Sequence, residues 1–365
     1  MSFSDIALAC VTQLQPYVPG KPIEELERQY GVSNIIKLAS NENPLGPSDA
    51  VLAAIAKASK ELTLYPDGNG FTLKSALAEK YKVELNQITL GNGSNDVLEL
   101  VARAFVSPAD EVLFSQHAFA VYPIVTQAIG AKGVIAPARD YGHDLQAMST
   151  LISERTKLIF IANPNNPTGT CLADDELETF VASVPPQTLV LIDEAYVEYG
   201  DGDINSISWL AKYPNLIITR TFSKAYGLAG LRVGFALSHP EVADLMNRVR
   251  QPFNVNSLAL AAATAALHDD DYIAATKRNN DQGMAQFIAG FDAMALSYIP
   301  SKGNFITVDV ERNGADVYEA LLQQGVIVRP VENYGLAQHL RVSIGLPAEN
   351  ERFLDELSKI LGRSL

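Results

Sequence analysis

The chain has 365 residues with 28 basic and 42 acidic side chains, a net charge of −14 and 47% hydrophobic residues, a globular composition long enough for one large domain or two. Its dispersed bases argue against a nucleic-acid surface, its longest near-apolar stretch (258–267, mostly Ala) is too short to cross a bilayer, and Met1-Ser-Phe-Ser-Asp-Ile lacks the features of a signal peptide. Cys10 and Cys171 form no CxxC and have no His at ligand spacing, so neither a disulfide framework nor a metal site is indicated, and a cytoplasmic protein is expected.

The first 40 residues, punctuated by Pro16, Pro19 and Pro22, cannot form a core and are expected to pack on another unit. Short apolar runs then predict strands at Gln87–Leu90, Glu111–Phe114, Gly133–Ala136, Lys157–Ala162, Thr188–Ile192, Leu216–Thr219 and Val233–Leu237. They lack polar alternation, as strands covered on both faces do. Helical patterns fall between them, at Ser94–Val106, Phe119–Ile129 and Asp174–Ser183. This alternation predicts an α/β fold with a mostly parallel, doubly wound sheet. After about Pro252 a long helical region, Ser257–Asp292, precedes strands at Phe305–Val310, Val326–Arg329 and Leu340–Ile344, a helix at Ala315–Gln324 and a closing helix. The expected division is a large domain over 45–255 and a smaller α+β domain made of 1–44 and 256–365.

Open α/β sheets bind ligands beyond the carboxyl ends of their strands, and the unusual polar clusters follow predicted strands. They are Gly91-Asn-Gly-Ser-Asn-Asp96, Asn163-Pro-Asn-Asn-Pro-Thr-Gly169, Asp193-Glu-Ala-Tyr196 and Arg220-Thr-Phe-Ser-Lys224. The first resembles half of GxGxxG, but Asp96 stands at the third glycine, which disfavours a dinucleotide. A tight turn opening a helix still suits a single phosphate at the amides of Ser94 and Asn95. Asn163–Gly169 is turn chemistry that needs no function alone, yet it holds the Asn166 amide still. Asp193 ends the most apolar strand, where a carboxylate needs a cation, a cap or a proton. Lys224 sits in a Gly-rich, otherwise uncharged stretch, and lysine amines condense with carbonyls. A lysine, a strand-end acid and a phosphate cradle together point to pyridoxal 5′-phosphate.

Asn166-Pro-Thr-Gly169, Asp193-Glu-Ala-Tyr196 and Ser223-Lys-Ala-Tyr-Gly-Leu-Ala-Gly-Leu-Arg232 resemble segments of the fold-type-I, pyridoxal-phosphate-dependent aminotransferases, whose fold is that of aspartate aminotransferase. Tyr17-Val-Pro-Gly-Lys-Pro-Ile-Glu-Glu-Leu, Ala39-Ser-Asn-Glu-Asn-Pro-Leu-Gly46, Tyr65-Pro-Asp67, Arg329-Pro and Leu340-Arg-Val-Ser-Ile-Gly345 narrow the resemblance to histidinol-phosphate aminotransferases, over essentially the whole chain. It implies a homodimer that exchanges an amino group between L-histidinol phosphate and 2-oxoglutarate, giving 3-(imidazol-4-yl)-2-oxopropyl phosphate and L-glutamate, in histidine biosynthesis. An aromatic amino acid aminotransferase and, from another class, a non-catalytic cofactor-binding regulator are the alternatives.

Carried over residue by residue, Lys224 is implied to hold the cofactor and shuttle the proton, and Asp193 to pair with its ring nitrogen. Asn166 and Tyr196 are implied to bond the ring 3-oxygen. Gly93, Ser94, Asn95, Ser223 and Arg232 would hold the phosphate, with Tyr65 reaching over from a second subunit. Tyr122, with Phe119 as runner-up, is expected to cover the ring. Arg341, Arg329, Tyr17 and Asn166 are implied on the substrate side, with Asn304 near it. Gln116-His117-Ala118 departs from the Pro and Thr or Ser usual in the family, which bears on the stacking geometry; His117 is expected to be structural.

Overall fold

The computed structural model describes residues 2–200 and 205–365. Among them, seven strands form the main sheet: β1 (Ile88–Gly91), β2 (Glu111–Ser115), β3 (Lys132–Ala136), β4 (Thr156–Ala162), β5 (Leu189–Asp193), β6 (Leu216–Thr221) and β7 (Gly234–Ser238). Their spatial order is β1-β7-β6-β5-β4-β2-β3. All neighbours are parallel except β7, which runs against both β1 and β6.

Successive side chains on a strand point to opposite faces, and both faces here are apolar. Ile159 and Ile161 of β4 join one core with Val190, Ile192 and Ile218, while Leu158 and Phe160 join another with Leu191 and Ile217. That two-sided burial explains why the sequence shows unbroken apolar runs. β3 is the exception: it lies at the sheet edge with Ile135 exposed.

A second, antiparallel sheet contains β8 (Tyr298–Ile299), β9 (Phe305–Asp309), β10 (Arg329–Val331) and β11 (Leu336–Ser343), in the order β8-β9-β11-β10. Helices Asp270–Ala293, Gly314–Gln323 and Pro347–Leu361 accompany it. They close a core around Phe287, Phe291, Ile306, Val342 and Phe353. The N-terminal segment joins this unit: Ile36 and Lys37 pair in parallel with Val326 and Ile327, and Leu26 packs with Leu322. Farther upstream it touches the main sheet's side, where the Gln127 amide donates to the Cys10 carbonyl at 3.2 Å.

Three expected elements differ. The long helical region divides, because the Asp269 side chain caps a new helix by accepting from the Tyr272 amide. Its first part, Ser257–Ala266, buries Ala259, Ala262, Ala263 and Ala266 in the main-sheet core. The expected boundary near 255 therefore precedes a helix whose buried face belongs with the first unit. The expected strand Val326–Arg329 is two short ones, since Val326–Ile327 pairs with the N-terminal segment and β10 pairs with β11. The helix expected from Phe119 starts at Val121, leaving Phe119 in the preceding turn.

Candidate active site

The carboxyl ends of β1, β4, β5 and β6 meet at one edge, and a cavity of about 330 Å³ opens there against the second unit. Tyr17, Ser94, Asn95, Asn166, Asp193, Tyr196, Ser223, Lys224, Arg232 and Arg341 all line it.

Its phosphate-sized corner is built by close backbone approach. β1 ends at Gly91, and Gly93, at φ 85°, precedes the helix Ser94–Phe105. A Cβ on Gly93 would stand 2.5 Å from an Arg232 guanidinium nitrogen, and one on Gly234 would stand 2.4 Å from the Ser94 amide nitrogen. Both glycines thus let the guanidinium and the helix start converge. Arg232, itself left-handed at φ 56°, donates to the Ser223 hydroxyl at 3.2 Å. Asp96 turns away from this corner: its carboxylate accepts from the Asn92 amide and from the Asn254 side chain, both at 2.8 Å, so it fastens the turn.

Asp193 is buried at the end of β5. One carboxylate oxygen accepts from the Tyr122 hydroxyl at 2.9 Å and the other from the Thr219 hydroxyl at 3.0 Å. Burial pushes its pKa up to about 6, against the pull of these donors. The Lys224 amine donates to the Ser40 carbonyl at 2.9 Å. Burial, reinforced by the Arg341 charge, pushes it down to about 7. A near-neutral amine and an acid of raised pKa in one cavity mark a functional site.

Tyr196 is buried, its hydroxyl accepting from the Asn41 side chain at 2.9 Å, and burial pushes its pKa up to about 12. The guanidinium of Arg341 donates to the Asn166 side-chain oxygen and to the Ala39 carbonyl, both at 2.6 Å. Among the described residues its buried Nε meets no partner, nor does the side-chain oxygen of Asn304, whose amide donates to the Asn41 carbonyl at 3.0 Å. A buried guanidinium on a cavity wall suits an anion.

Two expected positions need correction. Tyr122 does not face the cavity: it lies fully buried behind Asp193, stacked on Phe160 at 4.5 Å between centroids. Phe119 is the aromatic on the cavity wall, placed there by the turn before the helix. Arg329 stands at the mouth, donating to the Val18 carbonyl at 2.7 Å with Tyr17 alongside, rather than in the cavity. Tyr65 is 82% exposed and stacks on Phe253 away from the site. His117 is buried outside the cavity, its Nδ1 2.7 Å from the Tyr334 carbonyl. Sequence reasoning assigned no role to Ser40, Asn41 and Thr219. Ser40 and Asn41 stood inside a quoted motif, whereas a threonine within an apolar strand carries no signal of its own.

The Lys224 shift predicts a pH dependence in the cofactor-free protein. The unfolded chain holds the Lys224 proton up to about pH 10.5 and the folded chain only to about pH 7. Stability from this group therefore rises with pH between those values and is at its lowest below pH 7. Lys224→Met is expected to melt about 2 °C or more above wild type at pH 6.5 and to converge with it toward pH 10. Parallel melting curves across that range would contradict the assignment.

The pattern of the family described as Aminotransferase class I and II matches residues 33–357. The chain is 60% identical to "Histidinol-phosphate aminotransferase 2" of Pseudomonas fluorescens, covering 99% of each, and 56% identical to "Histidinol-phosphate aminotransferase 1" of Nitrosococcus oceani, covering 98% of each. A crystal structure of histidinol-phosphate aminotransferase from Sinorhizobium meliloti in complex with pyridoxal-5′-phosphate superposes with a TM-score of 0.91 at 29% identity, covering 97% of both chains.

Proposed function

The chain belongs to the class I and II aminotransferases, and from that membership we propose that it is a pyridoxal-phosphate enzyme transferring the amino group of L-histidinol phosphate to 2-oxoglutarate. The products are 3-(imidazol-4-yl)-2-oxopropyl phosphate and L-glutamate, a step of histidine biosynthesis. The observation that carries the reaction type is that the Lys224 amine, the Asp193 carboxylate and the Arg341 guanidinium line one cavity. The near-full-length likeness to relatives of that name carries the substrate.

The cavity residues fit the cofactor. The amides opening the helix at Ser94, with Ser223 and Arg232, suit a phosphate monoester. Asp193 suits a protonated ring nitrogen, Asn166 and Tyr196 a ring oxygen, and Phe119 a ring face. Pyridoxal 5′-phosphate, when bound, supplies an electron-withdrawing ring for the electron pair left at the donor's carbon. Lys224 would hold it through the amine, whose depressed pKa keeps much of the group neutral and nucleophilic at neutral pH. In turnover the same amine would take the proton from the donor's amine-bearing carbon and deliver it to the cofactor's aldehyde-derived carbon. Arg341 orients the anionic end of each substrate, and Tyr17 closes the mouth above it.

The proposal extends to a cytoplasmic homodimer. Leu62, Leu64, Tyr65, Phe71 and Phe253 are exposed on one chain, an apolar group suited to a second copy. Tyr65, remote from its own cavity, is then available to the neighbour's phosphate corner. Cys10 and Cys171 are free thiols, as a reducing compartment keeps them. Among the described residues, no helix is long and apolar enough to cross a membrane.

A half-reaction tests the reading. The cofactor-loaded enzyme is mixed with L-histidinol phosphate and, separately, with L-phenylalanine, and its absorbance near the cofactor's visible band is followed. Rapid bleaching by histidinol phosphate and slow bleaching by phenylalanine is expected. The reverse order would move the function to aromatic amino acids while keeping the catalytic groups.

A further inference from the structure

We infer that Tyr122 is a positioning residue that acts through Asp193, fixing the carboxylate for the cofactor's ring nitrogen from outside the cavity. The inference rests on the cofactor reading above. Tyr122 is fully buried and does not line the cavity, yet its hydroxyl lies 2.9 Å from the Asp193 oxygen opposite the one held by Thr219. Each carboxylate oxygen is thereby tied to a different element: the helix Val121–Ala128 through Tyr122 and β6 through Thr219. Two donors on two oxygens stop rotation of the carboxylate, and both favour its ionised form.

The ring of Tyr122 is itself held. It stacks on Phe160 of β4 at 4.5 Å with an interplanar angle of 6°, and its hydroxyl is the group left to point at Asp193. Phe119, which lines the cavity, meets the same ring edge-on at 5.8 Å. A single tyrosine therefore sets both the carboxylate at the cavity floor and the aromatic at its wall. A hydroxyl in so apolar a place would carry a desolvation cost without this bond. Burial and the Asp193 charge hold the phenol well above its usual pKa, so it stays a donor throughout the working pH range.

Tyr122→Phe removes the hydroxyl and keeps the stacked ring. In the holoenzyme it is expected to weaken cofactor binding about tenfold, measured by equilibrium dialysis, and to lower kcat about tenfold with little change in KM for the amino donor. In an Asp193→Asn background the same substitution should cost less than about twofold in cofactor affinity, because its target charge is gone. Melting curves of the cofactor-free proteins, expected to agree within about 2 °C, control for simple loss of packing. Unchanged cofactor affinity in Tyr122→Phe, or a full tenfold loss in both backgrounds, would overturn the inference. If wild type bound no pyridoxal phosphate, the cofactor reading itself would fail instead.

Discussion

Lys224→Ala is expected to lose about 10,000-fold in transamination rate, the upper end of what one positioned acid–base group supplies. Of the described residues that line the cavity beside it, none of Ser40, Tyr196 and Arg341 can replace the amine. Ser40 offers only its carbonyl to it, Tyr196 is held as a neutral phenol, and Arg341 stays protonated. The variant should fold, because the amine removed lines an existing cavity and is held there by one carbonyl. A small primary amine such as methylamine should restore part of the rate, since a neutral base of that size enters the vacated space. Steady-state assays with and without the amine make the comparison. A variant working at the wild-type rate with no added amine would remove Lys224 from the mechanism.

Asp193→Ala is expected to cost about 1,000-fold in kcat, on the scale of deleting one preorganised electrostatic partner in a dry site. The carboxylate is held ionised by two hydroxyls against a burial that already lifts its pKa to about 6. Its charge is therefore available to hold a proton on the ring nitrogen at neutral pH. Asp193→Asn, nearly identical in shape, separates charge from packing and should lose nearly as much. If the Asn variant kept more than about a tenth of the wild-type kcat, Asp193 would be a packing residue. The same burial sets a sign for stability: in the cofactor-free protein the folded state binds the Asp193 proton up to about pH 6, the unfolded only to about 4. Stability from this group therefore falls as pH rises between those values, and Asp193→Asn removes that fall.

Much of this site is legible in the sequence because strand ends advertise themselves. Asp193 stands out at the end of Leu189-Val-Leu-Ile, and Lys224 stands out in the otherwise uncharged, Gly-rich stretch that follows β6. Tyr122 and Phe119 could not be ranked so easily. Both are aromatic, three residues apart, and the choice depends on where the helix begins. Helix starts are set by capping and tertiary packing, which shift by a residue or two without altering the pattern. Thr219 was invisible for a different reason: on a strand buried on both faces, a threonine is an ordinary β-branched residue. Arg329 and Arg341 looked alike in sequence, being two strand residues of like charge. Directly opposite in the register, they differ by strand: Arg341 on the inner strand β11 reaches Asn166, whereas Arg329 on the edge strand β10 reaches the N-terminal segment.

That N-terminal segment also sets a timetable for assembly. Ile36 and Lys37 have no strand partner until Val326 and Ile327 exist, and Asn41 is held by Ser343 and Asn304. Ser40, the acceptor for the Lys224 amine, lies between them. On a ribosome the main sheet can form once β7 has emerged, but the lysine's surroundings cannot be completed until nearly the last helix is made. Such sequence-distant pairing is slow and is postponed in folding. The growing chain therefore carries its reactive amine for about a third of its synthesis before the wall that tames it arrives. Cofactor capture belongs to the finished protein, and a product cut short before residue 326 would keep the sheet while leaving the site open.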